Sequence, residues 1–289
     1  MTKFGVPAHH RAIRLLRAVE RLSTGFAHVV LTPNKAFKEL FAARSAPARK
    51  IHIVMNSPQE ELFRPCEETP APGDVPEVGF RIMFHGTVVE RHGLDTVLHA
   101  LRLLRPKIPS LAFDVYGGGD FVDTFKRLVG ELNLQDIVTY HGQVPLEQIP
   151  VAIRRCSVGV IPNRRTPFTE LNLPTRIFEY LCLGKPVVVP HTKGILDYFT
   201  EQELFFFEPG DAASLSEALW RVYADPAARH SIVQRGRAVY LRYTWEKERT
   251  RFQELVRRLL GGKSGQRKRS AAEDALGPGA PRDTVSAVS

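Results

Sequence analysis

The chain has 289 residues, 43% hydrophobic and 25% charged, which is enough apolar material for one full α/β domain with accessory pieces. Its net charge of +9 suits nucleotide diphosphates, polyprenyl phosphates and anionic lipid headgroups. Nucleic acid is not expected as a partner, because the basic residues are spread along the chain without zinc-finger spacing, an RNP motif or a helix-turn-helix pattern. Cys66, Cys156 and Cys182 are odd in number and lack CxxC or Cys/His spacing, so they read as small core hydrophobes rather than a disulfide framework or a zinc site. No apolar run approaches the roughly 18 residues of a membrane span, and the first residues lack a signal-peptide core. The expected location is cytoplasmic, with peripheral contact at the inner membrane face as the alternative.

That alternative rests on the first predicted element. Between His9 and Leu22, apolar residues fall at 12, 13, 15, 16, 19 and 22 with arginines between them, the pattern of an amphipathic helix. The reading preferred here is a helix packed on its own domain with the arginines in water; membrane contact is the other. From Phe80 the pattern alternates: strand 81–85, helix 93–105, strand 111–116, helix 120–132, strand 137–141, helix 146–155, strand 157–162, helix 174–183, strand 186–190. Such alternation predicts a parallel sheet with helical crossovers and ligands at the carboxyl ends of its strands. Helices follow at 212–224, 226–240 and 245–260. From Gly261 the Gly, Ser, Pro and mixed charges without an apolar period predict a disordered tail.

The most informative stretch is Leu171 to Pro190, LNLPTRIFEYLCLGKPVVVP. Pro174 fits the first helical position and Gly184 the residue just past the end, enclosing about three turns. The free amides at that helix start carry partial positive charge and favour a diphosphate. Glu179 in the second turn could accept two hydrogen bonds from a ribose diol, and Arg176 could meet phosphate oxygens. The plainer alternative is a surface ion pair between Arg176 and Glu179, worth a few tenths of a kcal/mol. The run Tyr116-Gly117-Gly118-Gly119-Asp120 ends a strand and lets backbone approach a ligand, but it does not match GxGxxG and argues against a dinucleotide enzyme. There is neither a nucleophile triad nor a metal-ligand cluster, so no metal and no cofactor are expected.

The Leu171–Pro190 stretch resembles the donor-site motif of the retaining GT-B glycosyltransferases of the family 4 type (group 1), in the subgroup with Pro-x-Lys-x-x-Glu-Tyr followed by Gly-Lys-Pro-Val-Val. The resemblance implies that Glu179 holds the donor ribose and that Arg176 stands in for the subgroup's lysine. Glu170 lies nine rather than eight positions before Glu179, so the family's second glutamate is not carried over. Phe80 to Leu98 resembles the strand, glycine loop and helix that open the donor domain. Relatives place an Arg just after its first Gly and a Lys just before its second. Here those positions are Thr87 and His92, and Arg91 is the expected phosphate ligand, with His92 a polar loop residue. The loop at Gly117 and Gly118 and the residues after Tyr140, Gly142 and Val144, face the nucleotide in the family. The implied donor site is thus Gly86, Thr87, Gly117, Gly118, Gly142, Val144, Leu173, Pro174, Thr175 and Glu179. Arg91, Arg176 and Glu179 are its catalytic residues, stabilising the departing diphosphate without a metal.

Leu204 to Asp211 resembles the family's last strand and turn. Ala27 to Asn34, a helix at 34–43 and Lys50 to Pro58 resemble the end of its N-terminal acceptor domain. The implied organisation is a remnant of that domain over 1–60, a linker over 61–79, a nucleotide-sugar-binding domain over 80–242, a crossover helix over 243–260 and the tail over 261–289. The fold expected is α/β, a Rossmann-like parallel sheet of GT-B type. The function implied is transfer of a sugar from a nucleoside-diphosphate sugar to a glycan or lipid-linked acceptor with retention, in surface polysaccharide or glycolipid synthesis. Two alternatives stand beside it: a nucleotide-sugar-binding module that is non-catalytic or depends on a partner chain for its acceptor domain, and a GT-B-fold sugar-nucleotide epimerase.

Overall fold

The computed structural model describes residues 10–64 and 79–274, with side chains as far as 261. Cys66, most of the expected linker and the last fifteen residues of the expected tail lie outside these. A short N-terminal segment comes first: α1 (Arg11–Phe26), β1 (Val30–Thr32), α2 (Lys35–Arg44) and β2 (Ile51–Ile53), with β1 and β2 forming a two-stranded parallel sheet. The remainder is a six-stranded sheet built from β3 (Phe80–His85), β4 (Leu111–Tyr116), β5 (Val138–Gly142), β6 (Val158–Val160), β7 (Val187–Pro190) and β8 (Phe205–Phe207). Its order is β5-β4-β3-β6-β7-β8 and every pairing is parallel. The crossovers are α3 (Leu94–Leu104), α4 (Val122–Glu131), α5 (Gln148–Arg155), α6 (Thr175–Cys182) and α7 (Lys193–Leu196), followed by α8 (Ala212–Ala224), α9 (Pro226–Tyr240) and α10 (Trp245–Asp274).

Except at the edge strand β5, which has no buried residue, the strands are largely buried on both faces because helices cover both. Phe80, Ile82 and Phe84 of β3 pack into one core with α3 and α8, whereas Met83 enters a second core with α5, α6 and α9. Val188 and Val187/Val189 divide in the same way on β7. This is the three-layer arrangement that buried parallel strands require. Strand order reverses at β3, whose neighbours β4 and β6 are approached from opposite directions in sequence. A crevice opens at the carboxyl ends of strands at such a point.

The N-terminal segment is tied to this body through specific bonds. Asn34 caps α2 with its carbonyl and donates Nδ2–H to Leu171 O at 2.8 Å. Lys35 N donates to Tyr198 Oη at 2.8 Å, and Met55 N donates to Glu248 Oε2 at 2.9 Å.

Three expectations need correction. The first concerns α1, which does not bury its apolar stripe: none of its residues is buried. It is held by its polar side instead. Arg44 grips Glu20 at 2.6 Å, Thr24 donates to Ser45 O at 2.9 Å and Lys50 donates to Gly25 O at 2.8 Å. Leu15, Leu16, Val19, Leu22 and Phe26 are left exposed, Phe26 at 91%. Second, α6 is two turns long with Pro174 as its cap rather than its first residue; Gly184, at φ +71°, does stand just past its end. Third, α10 continues through Gly261 to Asp274. Gly261, Gly262 and Gly265 cost about 1 kcal/mol each, but the Lys, Arg, Gln, Ala and Glu among and after them are good helix formers. Residues 1–248 form one compact unit, and the bulk of α10 belongs to a second. No helix among the described residues is long and apolar enough to cross a membrane.

Candidate functional site

Three loops at the carboxyl ends of β3, β4 and β5 are stitched together by backbone bonds. Gly86 N donates to Tyr116 O at 2.9 Å, Val88 N to Gly118 O at 2.9 Å, and Gly117 N to Gly142 O at 2.7 Å. The approach is close enough to demand glycine at 117, where φ is +129° and a Cβ would sit 1.9 Å from Gly86 O. The loops enclose a pocket of ≈ 420 Å³ lined by His85, Gly86, Thr87, Tyr116, Gly117, Gly118, Gln143, Val144, Leu146 and Ile149.

Helix α6 brings the charged groups to this pocket. Ile177, Phe178, Tyr180, Leu181 and Cys182 are all buried. The Tyr180 ring lies against Gly159 of β6, where a Cβ would come within 2.5 Å of it, and its hydroxyl donates to Met83 O at 2.9 Å. So anchored, α6 turns its two charged residues toward the end of β3. Arg176 Nη1 donates to His85 O at 2.6 Å, and its guanidinium lies 4.7 Å from the centre of the Phe84 ring, beside Gly86. Glu179 Oε2 lies 3.2 Å from His85 Nε2. Each side chain has a partner on β3, so the surface ion pair that their spacing allowed is not what this fold makes of them.

Burial dominates the electrostatics. It raises the Glu179 carboxyl to about 7 against the opposing pull of Arg176. Burial first, and then the Arg176 charge, lowers His85 to about 3. The same two causes bring His92 down to about 4, the Thr87 carbonyl opposing them. Arg176 itself is lowered by burial, with Tyr180 and Glu179 acting in the other direction. Near neutral pH the site therefore holds neutral imidazoles, a cation that touches a carbonyl and an aromatic face, and a carboxyl poised between its two forms. Such a cation favours an incoming anion.

Of the expected donor residues, Gly86, Thr87, Gly117, Gly118 and Val144 line the pocket, and Gly142 supports it through its carbonyl. Leu173 is buried, Pro174 caps α6 and Thr175 opens it, its amide among those that the first turn leaves without an intrahelical partner. Arg176 and Glu179 adjoin the pocket through Gly86 and His85. Arg91 is not among the residues lining it. It sits in a 3₁₀ turn, its carbonyl accepts from Arg164 N at 3.0 Å and its buried Nε has no partner. His92 is the side chain of that turn that folds back, its Nδ1 2.6 Å from Thr87 O. Glu170 lies elsewhere, its Oε1 accepting from Lys193 N at 3.1 Å at the start of α7. Sequence reasoning assigned no role to His85 and took Tyr116 and Gln143 only as parts of stretches that face the nucleotide in the family. The available signal for His85 was a polar residue closing an otherwise apolar strand directly before a glycine.

The chain belongs to the group 1 glycosyl transferases, whose family pattern matches residues 67–239. Among its relatives, the amylovoran biosynthesis glycosyltransferase AmsK of Erwinia amylovora is 23% identical over 212 residues, covering 73% of this chain and 51% of AmsK. The GDP-mannose-dependent alpha-(1-6)-phosphatidylinositol monomannoside mannosyltransferase of Mycolicibacterium smegmatis is 24% identical over 242 residues, covering 80% of this chain and 62% of that enzyme. The chain thus spans between about half and three fifths of these relatives. In structure it is similar to Anabaena Alr3699/HepE in complex with UDP, with a TM-score of 0.72 at 17% identity, covering 87% of this chain and 69% of that one. The α/β fold with parallel sheets is that of GT-B glycosyltransferases.

Proposed function

We propose that this protein binds a nucleoside-diphosphate sugar in the pocket at the ends of β3, β4 and β5. The sugar is then transferred to a glycan or lipid-linked acceptor, with retention, in polysaccharide or glycolipid synthesis. The observation that carries this is the pairing of a glycine-lined pocket with a half-buried guanidinium that has no carboxylate at ion-pair distance among the described residues. In this reading the nucleoside occupies the space between Tyr116, Gly117 and Val144, Glu179 accepts from the ribose diol, and the diphosphate meets Arg176 and the first amides of α6. When the bond from the anomeric carbon to phosphate oxygen breaks, charge builds on the departing diphosphate. Preorganised donors aimed there stabilise it. The residues lining the pocket include no carboxylate, so binding is proposed to need no divalent ion.

A second reading rests on the same pocket: a nucleotide-sugar-binding module, non-catalytic or dependent on a partner chain for its acceptor wall. One set of measurements serves both. Calorimetric titration with UDP, GDP and their sugar conjugates, with Mn²⁺ or EDTA, should give saturable binding that EDTA leaves intact and Arg176→Ala weakens. Transfer assays with lipid-phosphate-linked glycans then separate enzyme from module. Absence of binding by UDP, GDP and every conjugate would sink both readings.

A further inference from the structure

One buried group in this site is singled out by neither the motif nor the family match. His85 closes β3, is 7% exposed and sits against α6, its ring 5.2 Å from that of Tyr180 at an angle of 61°. Its backbone and its side chain both serve α6: the carbonyl takes Arg176 Nη1–H, and Nε2 points at Glu179 Oε2. That last contact is 3.2 Å long yet lacks the alignment of a formed hydrogen bond, leaving Nε2 a buried polar atom without a satisfied partner. Burial keeps the ring neutral, so it offers one N–H rather than a charge. Contacts of this length and alignment can tighten when a ligand is bound.

We propose that His85 is a positioning residue for the ribose-binding carboxylate, its Nε2–H holding one oxygen of Glu179 so that the other faces the 2′,3′-diol of the bound nucleotide. This rests on the reading of the pocket as a nucleotide site and adds to it the group that aims Glu179. A carboxylate on a two-turn helix has rotamers that point away from the pocket, and one fixed donor selects among them. Although His85 also borders the pocket, a role exerted through Glu179 should show as a change in recognition of the diol.

The probes are UDP and GDP, each beside its 2′,3′-dideoxy analogue, titrated calorimetrically into the intact chain. The wild type should prefer the ribonucleotide by about tenfold or more. His85→Phe, which keeps the bulk and loses the donor, should bring that preference to about threefold or less, read as a ratio so that any effect common to both nucleotide forms cancels. His85→Gln, which restores an N–H of similar reach, should recover most of it. In a Glu179→Ala background, His85→Phe should cause no further loss. Circular dichroism and thermal melts check each variant; should His85→Phe not fold, His85→Asn, too short to reach, takes its place. Equal weakening of both nucleotide forms would make His85 merely structural and overturn the proposal. A preserved diol preference in His85→Phe, with the preference lost in Glu179→Ala, would overturn it while leaving the site reading intact. No binding of UDP or GDP by the wild type would instead remove the nucleotide site itself.

Discussion

Helices α1 and α6 both mix charged with apolar residues, and they end up facing opposite ways. In α6 the apolar residues enter the core and the charged ones are drawn inward to β3. In α1 the one acidic residue, Glu20, is bound to Arg44 and Ser45, while Leu15, Leu22 and Phe26 look out. Amphipathic pattern alone tells which residues share a side, not which side meets protein. For α6 that choice is made by Gly159, which admits the Tyr180 ring, and by the carbonyls of Met83 and His85, which need donors. For α1 it is made by polar anchors on α2 and the turn after it.

The comparison breaks first, and hardest, at the glycine loops on which the α6 side depends. Gly117→Ala puts a methyl group on a carbonyl oxygen and forces a positive φ on a side chain, a backbone-to-backbone conflict that no rotamer relieves. A loss of about 3 kcal/mol or more in urea unfolding is expected, together with loss of nucleotide binding. An Ala variant as stable as the wild type would mean that the β3 and β4 loops are not joined as described.

Next comes the linkage of stability to pH through the buried pair. Glu179 is raised from 4.5 to about 7, so its contribution is full below about 4.5 and is lost as pH rises to and through about 7. His85 is lowered from 6.5 to about 3, so its contribution is present above about 6.5 and is lost as pH falls toward 3. Glu179→Gln should therefore gain on the wild type by up to about 3 kcal/mol between pH 4.5 and pH 8. Denaturant midpoints across that range test it, and a constant difference between the two proteins would contradict it.

Ligand binding gives a smaller number. Glu179→Ala should cost the nucleotide about 1.5–3 kcal/mol, ten- to a hundredfold in Kd, because a charge-assisted bond to ribose is lost. Unchanged calorimetric affinity would remove Glu179 from the site.

How legible all this was varies with the kind of force involved. The ends of the strands from β3 to β7 fall within about two residues of expectation; for β3, β4, β6 and β7 the reason is that burial on both faces leaves little choice of sequence, whereas β5 is half-exposed and was read from its place in the alternation. Arg176 and Glu179 were legible from their spacing behind Pro174. His85 was not, since its role depends on β3 lying beside α6, ninety residues later in the chain. The choice of Arg91 over His92 rested on permanent charge, but the 3₁₀ turn aims His92 at Thr87 and not Arg91 into the pocket. The length of α10 was hidden by Gly261 and Gly262, which weaken a helix without ending it.

On the α1 side the effects should be small. Arg44→Met removes the ion pair to Glu20, a partly exposed contact worth about 1 kcal/mol or less. Global unfolding should hardly change. What should change is local: with its main anchor gone, α1 should be cut faster by trypsin at Arg14 and Arg17 while the sheet stays resistant. Equal cleavage rates would show that something other than Arg44 holds the helix.

The smallest expected effect on stability falls on the most exposed large apolar side chains among the described residues. Leu22 and Phe26 are 75% and 91% exposed, so replacing both with Ser removes almost no buried area. Surface changes of this kind stay within about 0.5 kcal/mol. The same five-residue stripe is, however, a continuous apolar surface bordered by Arg11, Arg14, Arg17 and Arg21, and surfaces of that kind promote association. Light scattering of the wild type should therefore rise with concentration, and the double Ser variant should lose that rise while melting at the same temperature in dilute solution. A loss above about 1 kcal/mol in dilute solution would mean instead that α1 packs its apolar side against the protein, and the contrast with α6 would disappear.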